Sequence, residues 1–240
     1  MRAWFSETAA DVNVLSILRD AWYFYSRNLT AIALLCLPLI ALESAAKLAV
    51  EHWLGKGVLP AQELLTGLIF YPLYVGALIL YLDARSRGFD PTAREVLART
   101  LPLWPALALL AALGTLLIIL GASLFVLPAI WVMVKIAFAE YLLVLRGLTP
   151  LAALKESFQL TRGHFLLLLG CMLAVLLPIW IAEALLAVQF MPDEKTPHPA
   201  LILTFDSLFG LLQLLATVVL FRCFMLCSPP AIAEDEQGQP

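Results

Sequence analysis

Between Leu101 and Leu145 only Lys135 and Glu140 are charged, and nearly everything else is apolar. One membrane crossing needs about 20 consecutive apolar residues, so this stretch is about twice the length of a single span. It predicts two helices, and the small-residue run Gly121-Ala122-Ser123 is the best place for the hairpin between them. Similar runs precede and follow it. The chain is 62% hydrophobic and only 14% charged, whereas a soluble domain carries about 25% charged residues. Soluble packing could not cover that much apolar surface, and a bilayer is the simplest solvent for it.

The fold class that follows is all-α: a polytopic membrane protein with six transmembrane helices and three amphipathic interfacial helices. The spans are expected at about 29–50, 64–82, 101–121, 124–145, 165–190 and 200–221. Together they form one membrane domain over residues 11–227, between a flexible N-terminus (1–10) and a disordered acidic tail (228–240). Residues 1–28 contain Glu7, Asp11, Arg19, Asp20 and Arg27 and have no apolar core before a small-residue cleavage site, so no signal peptide is expected. Prolines at 38, 72, 128 and 178 lie inside spans, where they can kink a helix.

The amphipathic segments precede the first, third and fifth spans. Asp11 to Asn28 gathers Val14, Leu15, Leu18, Trp22 and Tyr25 on one face, and Trp22, Tyr23 and Tyr25 suit the headgroup layer. Pro91 opens the second segment. Thr149 and Pro150 are a cap and first-turn proline for the third, in which Leu151, Leu154, Phe158 and Leu160 lean to one side. Gly163 then breaks the helix and His164 marks the step into the next span. Arg19-Asp20-Ala21-Trp22, Arg94-Glu95-Val96-Leu97 and Lys155-Glu156-Ser157-Phe158 superpose without gaps as basic, acidic, small or medium, large apolar. The order of amphipathic helix and then two spans thus occurs three times, which predicts a threefold internal repeat.

Lysine and arginine are asymmetric. Arg2, Arg19 and Arg27 precede the first span; Arg85, Arg87, Arg94 and Arg99 lie between the second and third; Arg146, Lys155 and Arg162 lie between the fourth and fifth; Arg222 follows the sixth. The opposite side has Lys56 and Lys195. The positive-inside rule then places both termini and the three amphipathic helices in the cytoplasm of a bacterial inner membrane. Arg19, Arg94, Lys155 and Arg162 become candidate contacts for lipid headgroups.

Ionisable residues inside spans are costly and are functional candidates by default. Lys135, Glu140, Glu183, Asp206 and Glu43 form that set. Lys135, in the middle of WVMVKIAFAE, is expected to face the bundle interior and to meet a carboxylate of another helix. Glu140 is badly phased for it, and Glu43, Glu183 and Asp206 are expected nearer the outer ends of their spans. Glu43 and Lys47 are four apart and read as a local ion pair. The histidines, His52, His164 and His198, fall at span borders or loops. Cys36, Cys171, Cys223 and Cys227 have no metal-ligand spacing and no disulfide framework. No nucleophile elbow, phosphate-binding loop or zinc-protease motif is present, and no basic patch with interleaved aromatics suggests nucleic acid. No catalytic residue, cofactor or metal is therefore expected. The expected partners are membrane lipids and envelope proteins. Gly67, Gly76, Gly114 and Gly170 are read as sites of close helix packing.

One segment carries a family resemblance. Gly147-Leu148-Thr149-Pro150-Leu151, followed by Ala153-Leu154, Ser157, Leu160-Thr161-Arg162-Gly163 and Phe165, resembles an element of YciC-like bacterial inner-membrane proteins. It is also similar to the membrane domain that accompanies some glycerophosphoryl diester phosphodiesterases. Lys135-Ile136-Ala137-Phe138-Ala139 looks like a family stretch in which arginine is the more familiar basic residue. The resemblance implies a polytopic envelope protein with no settled activity. The phosphodiesterase chemistry belongs to a separate soluble domain and is not carried over. The reading that follows is a non-enzymatic role in envelope or membrane homeostasis, through lipid handling or partner scaffolding. The alternative is a small transporter or channel using the charges around Lys135.

Overall fold

The computed structural model describes residues 13–54, 59–190 and 199–228. The expectations for residues 1–10, for the connections holding Lys56, Lys195 and His198, and for the tail beyond Ser228 lie outside the described residues. All regular elements among those described are helical. They are α1 (Val14–Arg27), α2 (Leu29–Leu54), α3 (Leu59–Ser86), α4 (Ala93–Thr100), α5 (Trp104–Leu124), α6 (Val126–Ile136), α7 (Ala139–Arg146), α8 (Pro150–Leu160), α9 (Phe165–Phe190) and α10 (Pro199–Cys227), with a single 3₁₀ turn (Leu101–Leu103) joining α4 to α5. Among the described residues six stretches are long and apolar enough to cross a membrane: α2, α3, the run from α4 through α5, the run from α6 through α7, α9 and α10.

Several boundaries differ from the sequence reading. The second short helix starts at Ala93, not Pro91, because Thr92 and Glu95 form a reciprocal capping box that fixes the first turn there. Gly121-Ala122-Ser123 is not the hairpin; α5 continues to Leu124 and the chain turns at Phe125, which is extended. Pro128 explains the shift, since it sits in the first turn of α6, where a missing N–H leaves no intrahelical bond unmade. The fourth span is not one continuous helix, for it breaks between Ile136 and Ala139. Thr149 occupies the N-cap position of α8 but its side chain makes no capping bond. Gly163 does break the chain, at φ 86°, in the left-handed region that favours glycine.

The three hairpins α2–α3, α5–α6/α7 and α9–α10 form a closed ring, in which α3 packs on α5, α6 on α9, and α10 on α2. Each short helix rests on the hairpin of the preceding unit. α4 packs on α3 and α2, α8 on α7, α5 and α6, and α1 closes the circle against α10 and α9. The residues at the third position of the repeated motif, Ala21, Val96 and Ser157, are all buried in these contacts. The arginines ending the three hairpins keep the same order. Arg85 pairs with Asp90 at 3.0 Å just before α4, Arg146 with Glu156 of α8, and Arg222 with Asp20 of α1 at 3.6 Å. Arg222 is buried, but exposed and half-exposed pairs like the other two contribute only about 0–1 kcal/mol each, so their common placement reports register more than stability.

Lipid is as apolar as the side chains, so helix association here depends on close packing and interhelical hydrogen bonds. Gly76 of α3 admits Leu107 and Thr100: a Cβ there would lie 2.6 Å from the Leu107 Cδ1 and 2.9 Å from the Thr100 Cγ2. Hydroxyls reach backbone carbonyls across helices, from Tyr25 to Leu211 at 2.7 Å and from Tyr141 to Thr217 at 2.8 Å. Pro72 has no N–H for the Leu68 carbonyl one turn back, and beside it the indole of Trp104, the first residue of α5, donates to the Ile69 carbonyl at 2.8 Å. α4 itself packs on α3 and α2 rather than lying apart from the bundle. The apolar faces expected of the short helices also rotate. α8 buries Ala153, Leu154, Ser157 and Thr161 and leaves Leu151 exposed; α1 buries Ile17, Ala21 and Tyr25 and leaves Leu15 and Trp22 outside.

Candidate functional site

The ring encloses a cavity of about 390 Å³ to which all six spans contribute. Its walls are mostly apolar, with Leu64 and Leu68 from α3, Leu110, Ala111 and Ile118 from α5, and Met133 and Ile136 from α6 among them. Leu154 of α8 also reaches it, as do Met172 and Leu220 of the third hairpin. The polar lining forms a connected strip. The Tyr71 hydroxyl donates to the Glu140 carboxylate at 3.3 Å, and the Tyr71 and Tyr74 rings meet edge to face with centroids 5.6 Å apart. Tyr74 in turn interacts with Glu43. Leu64 and Tyr71 are 49% and 37% exposed, so the cavity opens on the α3 side.

The strip exists because the fourth span is broken. At the break the Ala137 amide bonds the Val134 carbonyl, which leaves the Phe138 N–H and the Lys135 C=O without their usual helical partners. Ser157 of α8 satisfies both: its hydroxyl accepts from Phe138 N at 3.2 Å and donates to Lys135 O at 2.7 Å. The kink re-aims α7, so that Ala139 and Glu140 line the cavity beside Ile136 and Ala137. Behind it, Tyr141 stacks on Phe224 with ring centroids 5.5 Å apart and Phe138 meets the same ring edge to face at 5.6 Å, which fixes α7 against α10.

Residues 74–228 match the family model described as Domain of unknown function (DUF7847). The chain belongs to this family. The matched region holds Tyr74, Glu140, the break and Ser157, and stops short of Glu43 and Tyr71. The chain is also similar to proteins named UPF0259 membrane protein from Yersinia pestis (strain Pestoides F) and Yersinia pseudotuberculosis serotype O:1b (strain IP 31758). Each is 25% identical over 213 residues, covering 84% of this chain and 80% of the relative. No solved structure matches the chain.

In this DUF7847 chain the residues singled out from sequence fall into separate places. Glu43 and Glu140 share the cavity. Glu43 lies mid-helix in α2 rather than near an outer end, because that helix runs on to Leu54; it is buried and pairs with Lys47 at 2.7 Å. Glu183 of α9 interacts with Gln213 and lies near Asp206 of α10, and neither carboxylate lines the cavity. Lys135 is buried as expected, but it meets no carboxylate within 4.0 Å among the described residues. It sits in the last turn of α6, where a cation complements the helix C-terminus, with its Nζ 5.9 Å from the Trp131 ring centroid. Lys135 is not a cavity residue. Arg19, Arg94, Lys155 and Arg162 are exposed on or just beyond the short helices. Sequence reasoning did not single out Tyr71, since its place beside a carboxylate 69 residues away has no local signal. Among the described residues no group of three or more metal-binding side chains forms.

Proposed function

We propose that this protein handles lipid: it takes an amphiphile of the surrounding bilayer into the cavity between its three hairpins. The observation that carries this reading is the cavity itself, apolar over most of its wall, polar along one strip, and lined from every span. Its volume lies in the range of about 300–1,000 Å³ typical of small-molecule sites, which suits a headgroup with part of a chain. The transport reading centred on Lys135 loses support, since Lys135 is not among the residues lining this space. The protein then belongs in the bacterial inner membrane, in keeping with the YciC-like resemblance, and acts in envelope homeostasis without catalysis of its own. Arg19, Arg94, Lys155 and Arg162 would meet anionic headgroups on the cytoplasmic side, each worth about 1 kcal/mol near such a surface.

The decisive experiment fills the cavity. Ala111→Trp places an indole among its apolar walls, and native mass spectrometry of the protein released from gentle detergent reads the lipid retained. The expected result is a lipid adduct on the unmodified protein, lost from the variant at an unchanged melting temperature. Equal adducts on both proteins would overturn the reading. Topology is tested separately by reporter fusions. Fusions after Arg87 and Arg146 are expected to report a cytoplasmic location and those at Lys56 and Lys195 a periplasmic one; the reverse pattern would overturn the orientation.

A further inference from the structure

We propose that the polar strip of the cavity receives a protonated primary amine, so that the site selects amphiphiles with an amine head. This rests on the lipid-handling reading above and adds the class of ligand. The two carboxylates on the strip are differently placed. Glu43 already has a cation, with the Lys47 Nζ 2.7 Å away. Glu140 has a hydroxyl from Tyr71 at 3.3 Å and, among the described residues, no lysine, arginine or histidine nitrogen within 4.0 Å. A carboxylate inside a membrane bundle is costly to leave without a counter-charge, and a ligand cation supplies one.

The neighbours of Glu140 fit the same head. Tyr71 and Tyr74 stand edge to face, and a cation beside them gains from the ring faces as well as from the carboxylate. Both hydroxyl oxygens can accept an N–H. A primary ammonium has three N–H donors to distribute among the carboxylate and those oxygens, and a quaternary ammonium has none. The Glu140 carboxylate, with no cation of its own among the described residues, repels a phosphate or glycerol-phosphate head that brings none. Apart from Thr115, the rest of the wall, from Leu64 and Leu68 to Ala111 and Ile118, offers apolar contact, which suits an alkyl chain.

The test titrates the purified protein in detergent with four single-chain probes of equal chain length: a lysophosphatidylethanolamine, a lysophosphatidylcholine, a lysophosphatidylglycerol and a plain primary alkylamine. Binding is read by native mass spectrometry. The expected result is that an amine-bearing probe binds at least about tenfold tighter than the choline and glycerol probes, as a charge-assisted hydrogen bond allows. Tight binding of both amine probes places the ligand among lipid headgroups, and tight binding of the alkylamine alone places it among free amphiphilic amines. Glu140→Gln should bring the preference below about twofold while choline-probe binding is retained, because the isosteric amide keeps shape and loses charge. Equal binding of all four probes, abolished by Ala111→Trp, would overturn amine selection and leave the cavity reading intact. A preference that survives Glu140→Gln would overturn the role given to that residue. Binding of no probe would sink the lipid-handling reading on which the proposal stands.

Discussion

Ser157→Ala is expected to lower the melting temperature of the detergent-solubilised protein by roughly 5–10 °C, which for a chain of this size corresponds to about 2–4 kcal/mol. The side chain is fully buried, and its one hydroxyl serves both the Phe138 N–H and the Lys135 C=O at the break in the fourth span. Alanine keeps the volume nearly unchanged and removes both bonds. Two buried backbone groups then lack partners, at about 1–3 kcal/mol each. A side-chain hydrogen bond between membrane helices averages only about 0.6 kcal/mol, because the separated helices find other partners. Backbone groups released at a break inside the bundle have no such recourse. Ser157→Cys, a weak donor and acceptor, should fall between serine and alanine. Ser123→Ala is the control: its hydroxyl bonds the Leu120 carbonyl at an exposed position, and the melting temperature should stay within about 2 °C. A Ser157→Ala protein as stable as the original would mean that the break finds other partners and that α8 does not hold it.

That bond also marks what could be read from the sequence and what could not. Length and polarity located the spans. Phe165 to Phe190 emerged with its expected ends because Gly163 and His164 stand on one side and a charged, proline-rich segment on the other. The ends of α3 and α10 run further, to Ser86 and Cys227, because a helix continues past the apolar core when its last turn finds partners, as Arg85 does with Asn28 and Asp90. The threefold order was legible in four-residue motifs, and the burial of Ala21, Val96 and Ser157 gives the motif its reason: the third position must be small enough for the underlying hairpin. The break in the fourth span was not legible. Lys135-Ile136-Ala137-Phe138 holds no glycine or proline, and the group that stabilises the break lies 22 residues on. The site was half legible. Every intramembrane charge was visible one by one, but only tertiary structure brings Glu140 to Tyr71, leaves Glu183 and Asp206 with the third hairpin, and sets Lys135 over Trp131 outside the cavity.

Gly121→Ala is expected to cost about 1–3 kcal/mol, through overpacking against backbone. The sequence reading took this glycine for the hairpin itself, whereas it lies in the last turns of α5 and sets how closely α6 can return. A Cβ at Gly121 would sit 3.0 Å from the Ala129 N and Cα and 3.2 Å from the Pro128 carbonyl carbon. No side-chain rotation relieves contacts with main chain; α6 has to move as a unit, and Pro128 stiffens the turn that would have to yield. The helix propensity gained by replacing glycine with alanine, at most about 1 kcal/mol, offsets only part of this. Gly114→Ala on the same helix separates the two effects. Its added Cβ would meet only the Ile136 Cδ1, at 3.2 Å, the far end of a side chain that can turn aside. The propensity gain should then leave Gly114→Ala neutral or slightly stabilised while Gly121→Ala is destabilised, as read by thermal unfolding of both variants in one detergent. Displacement of α6 by the Gly121 substitution also carries Met133 and Ile136 away from the cavity wall, so lipid retention should fall with stability in that variant. If the two substitutions shift stability alike, the α5–α6 crossing is not limited by backbone contact at Gly121.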